Sequence, residues 1–345
     1  RVLFRSVVTN HETLLTNNAQ YDQRFAAGES IIMRGLRAIL CAPMMVQDRL
    51  IGVVYVDTAM KAGAFRQDDA SLLSAVSGMA ARAIENARLY LVAREKGRLE
   101  RELQMASEIQ RGLLPRQMPR VAGYELSPYW EAAREVAGDF YDAFTLEDGS
   151  LGVVIADVSD KGAPAALFMA VARTFIRSHA HSGITEVETV SRTNDLLLAD
   201  AEQNGMFVTL VYAHCYEGGR MVMVNGGHNP PLLYRRATRQ TEYLPRGGRA
   251  LGWFPDNPLQ AVEVKLEPGD VVLFYTDGLT DAENAAADPY GEQRLARVVA
   301  SAAASGSSEQ IRDAILEDVA RFCAGQLLFD DLTLVVVRYS GSSGN

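Results

Sequence analysis

The run "VLFYTDGLTDAEN", Val272 to Asn284, passes from an apolar strand-like stretch straight into an acidic turn. Asp277 and Gly278 stand where a buried strand would reach the surface, and Asp281 and Glu283 follow. A polar turn closing a strand accounts for most Asp-Gly pairs. The alternative is that Asp277 is a metal ligand with partners elsewhere in the chain.

Three other acids share its context. Asp139 in "AGDFYD", Asp157 in "VVIADVSDKG" and Asp330 in "LLFDDLT" each lie at or beside the end of a strand-like run. One such acid means little, but four spread through a single domain point to convergence on one site. Carboxylates gathered there raise one another's pKa unless cations neutralise them. No H-E-x-x-H motif and no Cys/His cluster competes for a softer metal. All-oxygen ligation favours Mg²⁺ or Mn²⁺ over zinc. Two such ions polarise a phosphoryl group and generate hydroxide near neutral pH, which is chemistry for hydrolysing a phosphate ester without a protein nucleophile.

The chain of 345 residues predicts two domains, and its 48% hydrophobic and 22% charged residues are those of a globular protein. A formal net charge of −9 with no basic stripe argues against nucleic acid or an anionic membrane as partner. No apolar run approaches the roughly 18 residues that span a bilayer. Cys41, Cys215 and Cys323 lie far apart and read as buried reduced thiols. The opening "RVLFRSVVTN" has neither a starting methionine nor a signal segment. It reads as a piece of a longer, cytoplasmic protein.

Residues 1–88 read as short β-like runs with polar connections, with a hairpin at Gln47-Asp48 and a helical pattern from Asp68. The helix continues through a linker, residues 89–115, with Leu89, Val92, Lys96, Leu99, Leu103, Ala106, Gln110 and Leu113 in alternating steps of three and four. This seam predicts a parallel two-stranded coiled coil and hence a homodimer, with Lys96 and Gln110 fixing its register. Pro115 ends the helix. Residues 116–340 read as strands interrupted by helix pairs, which predicts an α+β sandwich.

"GDFYD", "ADVSDKG", "MFVTLVYA", "NGGHNPPLLY", "FYTDGLTDAEN" and "FDDLTLVVV" occur in one order between about residues 110 and 340. In that order they resemble the PPM-type metal-dependent serine/threonine phosphatases, and most closely the SpoIIE-like branch that regulates sigma factors. The resemblance implies an α/β/β/α sandwich and two Mn²⁺ or Mg²⁺ ions. It implies Asp157 as bridging ligand beside the Val158 carbonyl, Asp277 and Asp330 on one ion, and Asp139 on the other. Asp157 and Asp277 are then the catalytic acids, and Asp331 stands behind the ligands. The implied substrate is a phosphorylated serine or threonine on an anti-anti-sigma (STAS-type) protein.

Arg134 and Lys161 are candidates to hold substrate phosphate. His228 in "NGGHNPP" is a candidate support for the ligands or a hydrogen-bonded turn histidine. His179 and His181 read as a helix end, and Trp130 and Trp253 as core or pocket rim. Asp160 stands where that branch has a small residue, and it is expected to cap the helix that begins near Pro164.

"LTNNAQYDQRF", "ESIIMRGLRAILCAPMMVQDRLIGVVYVDT" and the "F-x-x-D-D" at Phe65 resemble the later part of a GAF domain. This implies a partial sensor or dimerisation module that switches the phosphatase through the helix. Two other readings compete. A non-catalytic scaffold with a phosphatase-like fold would bind a phosphoprotein, but retention of all four acids argues against it. An aspartyl-phosphate phosphotransferase needs a D-x-D motif, and "GDFYD" spaces its acids three apart.

Overall fold

The computed structural model describes residues 2–19, 21–22, 36–201, 205–326 and 328–341. The chain divides into two compact units, Arg1–Glu100 and Arg101–Asn345.

The first unit contains helix α1 (Val2–Asn10) and strands β1 (Leu14–Thr16), β2 (Ala38–Val46) and β3 (Arg49–Thr58), which form an antiparallel sheet in the order β1-β2-β3. Val7, Leu14, Ile39 and Cys41 make its core. The hairpin turns at Gln47, whose φ of +51° supplies the left-handed step that a tight hairpin needs. The opening segment, expected among the β-like runs, is helical, in keeping with the helical spacing of Phe4, Val7 and Val8. The GAF-like stretch at 23–35 lies outside the described residues.

Helix α2 (Gln67–Leu113) is continuous over 47 residues. Asp68 and Asp69 in its first turn and Arg111 in its last complement its dipole. No helix among the described residues is long and apolar enough to cross a membrane.

The second unit continues with strands β4 (Tyr124–Glu131), β5 (Phe140–Thr145) and β6 (Leu151–Val158), helices α3 (Ala163–Ala180) and α4 (Glu186–Ala201), and strands β7 (Val208–Cys215) and β8 (Arg220–Gly226). Then come β9 (Leu232–Arg235), β10 (Gln240–Tyr243), β11 (Ala261–Lys265), β12 (Val271–Tyr275), the single turn α5 (Asp277–Thr280), α6 (Glu292–Ala303), α7 (Ser308–Cys323) and β13 (Leu332–Tyr339). The strands form two five-stranded antiparallel sheets, β10-β9-β12-β13-β4 and β11-β8-β7-β6-β5.

Strand β12 shows how the layers are held. Val272 and Phe274 face one core cluster, shared with Phe140, Val154 and Val211 of the other sheet. Val271, Leu273 and Tyr275 face a second cluster, shared with Leu295 and Val299 of α6 and Ile311 and Ile315 of α7. A strand buried on both faces reads as an unbroken apolar run because each pleat direction meets a core. Helices α3 and α4 cover the outer face of the β5–β8 sheet, so the layers run α/β/β/α. A capping box of Ser307 and Gln310 starts α7, and Pro164 lies in the first turn of α3. The three cysteines are free and buried.

Candidate metal centre

The carboxylates come from strand ends at one edge of the sandwich. In the β11-β8-β7-β6-β5 sheet Phe140 pairs with Ala156, which sets Asp139 beside Asp157. In the other sheet β12 and β13 run antiparallel, so the end of β12 adjoins the start of β13. Thr276 N donates to the Thr333 carbonyl at 3.0 Å and Thr333 N to Thr276 Oγ1 at 3.1 Å, which brings Asp277 beside Asp330 and Asp331.

The electrostatics show the acids crowding one another. Burial and then the Asp277 charge push Asp157 up to about 7. Burial and then the Asp157 charge hold Asp139 well above the carboxylate range. Asp277 is raised by burial and then by Asp330. Three of the four sequence-predicted acids thus resist ionisation, and Asp330 is a source of the repulsion felt by Asp157 and Asp277.

Asp139 is buried and its Oδ2 accepts from Thr276 Oγ1 at 2.6 Å and Thr333 Oγ1 at 2.7 Å. Asp330 pairs with Lys161 Nζ at 2.8 Å, and that ammonium also donates to the Phe329 carbonyl at 3.1 Å. Asp331 lies near the other acids and adds to the repulsion felt by Asp139 and Asp157. Its two oxygens accept from the amides of Ala133 and Gly138, each at 2.8 Å, and so clamp the segment before Asp139. The Val158 carbonyl lies against that segment, because a Cβ on Gly138 would come within 2.8 Å of it.

His228 is fully buried just past the end of β8. Its Nδ1 lies 2.8 Å from Thr209 Oγ1, and Thr209 stands opposite Asp157 in the β6–β7 pair. Burial lowers its pKa to about 3, so the ring is neutral. Arg134 is exposed on the loop before Asp139. Asp160 does not cap α3: the N-cap is Gly162, with no side-chain cap, and Asp160 Oδ1 accepts instead from the adjacent Lys161 amide at 2.8 Å. The reason is local, since Asp160 holds a φ of +78° and its short carboxylate bonds the next amide. His181 does end α3, its Nδ1 lying 2.8 Å from the Arg177 carbonyl. Trp130 is half-buried and its Nε1 donates to the Asp139 carbonyl at 3.0 Å, whereas Trp253 is exposed, meets Phe207 at a tilt and stacks on Phe254.

Thr276, Thr333, Thr209 and Trp130 support the acids without having been singled out for that task in the sequence. Thr276 and Thr333 are adjacent to or two residues beyond an acid in "YTDG" and "DDLT", whereas Thr209 in "MFVTLVYA" has no acid beside it. Gln110, expected on the coiled-coil seam, is instead buried against Ala137 of the same chain, so the seam does not extend to it.

Among the described residues no group of three or more His, Cys, Asp and Glu side chains is drawn in closely enough to hold an ion as it stands. Asp330 is turned to Lys161 and Asp139 to two hydroxyls. In donor chemistry the residues fit a hard divalent cation: every donor is oxygen, and the mutual repulsion of the acids is what such a charge relieves.

Residues 147–340 match the family model for stage II sporulation protein E (SpoIIE), and residues 3–84 match the GAF domain model. The chain is 30% identical over 263 residues to protein IcfG of Synechocystis sp., covering 68% of this chain and 41% of that protein. It is 26% identical over 243 residues to the phosphoserine phosphatase RsbU of Bacillus subtilis, covering 70% of each. Less than half of IcfG is therefore spanned. Among solved structures, the SiaA-PP2C domain of Pseudomonas aeruginosa shares the fold with a TM-score of 0.63 at 21% identity, covering 72% of this chain and 99% of that one. The RsbU and RsbW domains of Rv1364c from Mycobacterium tuberculosis match with a TM-score of 0.55 at 26% identity, covering 66% and 63%. With the SpoIIE match spanning more than half its length, this chain belongs to the SpoIIE family of PPM-type serine/threonine phosphatases, preceded by a GAF domain.

Proposed function

We propose that the chain hydrolyses phosphoserine or phosphothreonine on a STAS-type anti-anti-sigma protein, with two Mn²⁺ or Mg²⁺ ions bound by Asp139, Asp157, the Val158 carbonyl, Asp277 and Asp330. The observation that carries this reading is the crowding of Asp139, Asp157 and Asp277, each held above the ordinary carboxylate range. Such a cluster is costly to fold and is retained where a cation uses it. When bound, the ions supply Lewis-acid polarisation of the phosphoryl group and a water acidic enough to ionise near neutral pH.

The chain's own residues do the rest. Thr276 and Thr333 fix the Asp139 carboxylate, and Asp331 fixes the loop that carries it. Lys161 lies against Asp330, and Arg134 is exposed on the loop that leads to Asp139. Both cations are assigned to the substrate phosphate, Arg134 through its planar fork and Lys161 as a point charge. His228 supports Asp157 through Thr209 and is a weak base, because burial disfavours its protonated form.

Control by the GAF domain is assigned to α2 acting in a homodimer. Its support is a helix with Leu89, Val92 and Leu99 exposed by 58%, 62% and 54% in the single chain. Exposed leucines at heptad spacing gain stability by pairing with a second copy.

Release of phosphate from p-nitrophenyl phosphate and from a phosphoserine STAS protein, with Mn²⁺ and after chelation, tests the reading. Turnover with Mn²⁺ that stops on chelation is expected. Binding of the phosphoprotein without hydrolysis under any divalent ion would favour the non-catalytic scaffold.

A further inference from the structure

Gln110 lies three residues before the end of α2 and is 3% exposed. Its Nε2 donates to the Ala137 carbonyl at 2.6 Å, and its Oε1 accepts from the Ala137 amide at 3.0 Å. One side-chain amide therefore satisfies both backbone groups of a fully buried residue, as a strand neighbour would. The adjacent Arg111 places its guanidinium carbon 5.7 Å from the centre of the Trp130 ring, and that indole donates to the Asp139 carbonyl. Consecutive residues of the helix thus bear on this loop on both sides of Gly138, Gln110 directly at Ala137 and Arg111 through Trp130 at Asp139.

That loop has little slack. The Gly138 amide is held by Asp331, and the close approach of Gly138 to the Val158 carbonyl leaves no room for a methyl group. A displacement of the helix end is passed through Ala137 to Asp139 on one side and pressed against Val158 on the other.

We propose that Gln110 is a positioning residue that couples the seat of the α2 end to the Asp139 carboxylate and the Val158 carbonyl, and thereby sets the affinity of the site for its cation. The inference rests on the reading of these two groups as metal ligands. A buried glutamine that merely satisfies a loop contributes stability alone, whereas a positioning glutamine changes what the loop binds.

Two variants of the full chain separate these roles. Gln110→Met keeps length and burial but removes both hydrogen bonds. Gln110→Glu keeps the acceptor for the Ala137 amide and removes the donor. For each, Mn²⁺ binding is read from the electron paramagnetic resonance signal of the free ion, backbone mobility from hydrogen exchange over 133–139, and stability from thermal unfolding.

The expected result is Mn²⁺ binding weakened by about tenfold or more in Gln110→Met, with a smaller loss in Gln110→Glu. Faster exchange over 133–139 should accompany it, and kcat should return at saturating Mn²⁺. Lower thermal stability with unchanged Mn²⁺ affinity and unchanged exchange would overturn the proposal. Should Gln110→Met fail to fold, Gln110→Glu decides on the same two readouts. A wild-type chain that binds Mn²⁺ yet hydrolyses no phosphoester would refute the phosphatase reading, and the binding comparison would still judge Gln110.

Discussion

Gly278 and the Asp331 carbonyl approach so closely that a Cβ built on Gly278 would lie 2.0 Å from that oxygen. The turn after Asp277 and the turn before β13 are therefore pressed together by backbone, and the contact fixes the distance between Asp277 and the Asp330–Asp331 pair. No side chain fits at 278, whatever its chemistry.

Gly278→Ala is accordingly expected to push the two turns apart. Overpacking of this kind costs about 1–3 kcal/mol of stability, read as a lowered urea midpoint. The apparent Mn²⁺ affinity should fall with it. An alanine variant with wild-type affinity would show that the contact does not position the acids.

Asp160 makes the opposite prediction. It is exposed with a φ of +78°, a conformation that costs a side chain free energy and costs glycine little. Asp160→Gly is expected to stabilise the second unit by at most about 1 kcal/mol in urea unfolding, because relief of about 1–2 kcal/mol of left-handed strain outweighs the roughly 0.4–1 kcal/mol that glycine adds to the unfolded chain's entropy. A loss of stability would mean that the bond from the Lys161 amide to the Asp160 carboxylate outweighs the backbone strain.

The fold was largely legible because its strands and helices announce themselves. The run from Val271 to Tyr275 is apolar throughout because both faces are buried, and "APAALFMAVARTFIRSHA" has the spacing and the early proline of the helix it forms. Strands β10 and β11 were silent, being short, half-exposed edges with little apolar content. At the site, the four acids were readable from their shared position at strand ends. The hydroxyls of Thr276 and Thr333 were not, since their task depends on two strands distant in sequence meeting side by side. Gln110 shows the limit of heptad counting. Periodicity places a residue on a helix face, and only the packed loop shows that this face is already covered by the residue's own chain.

His228 gives the second unit a measurable acid sensitivity. Burial lowers its pKa from 6.5 to about 3, so the unfolded chain takes up a proton first as pH falls. The stability held by the neutral ring is complete above pH 6.5 and is lost progressively toward pH 3, at up to about 1.4 kcal/mol per pH unit. Asp157, raised to about 7, works the other way, since the folded chain binds its proton more readily. The comparison is therefore wild-type minus His228→Gln, in chelator, by urea unfolding between pH 7.5 and 5. The difference should be level near pH 7.5 and shrink as pH falls through 6.5 toward 5. A pH-independent difference would show that the ring is not buried in its neutral form.

The helix makes a prediction about assembly. Leu99 is 54% exposed in the single chain and Leu103 shares its seam. Each leucine that a dimer buries fully contributes roughly 1.5–3 kcal/mol, and glutamates in their place set like charges face to face. Leu99→Glu/Leu103→Glu is expected to be monomeric in light scattering and to turn over substrate at an altered rate. A mutant that stays dimeric removes the seam, and a monomer with unchanged rate reduces the coiled coil to a tether.

The proposed role of Asp157 is to anchor a metal-dependent phosphatase site. It is tested most directly by single-turnover phosphate release from a phosphoserine STAS protein, with and without Mn²⁺, for wild-type and Asp157→Asn. Mn²⁺-dependent release is expected from wild-type, and release by the variant slowed on the order of 10³-fold or more with Mn²⁺ supplied. Near-wild-type release by Asp157→Asn, or wild-type release that persists after chelation, would contradict it.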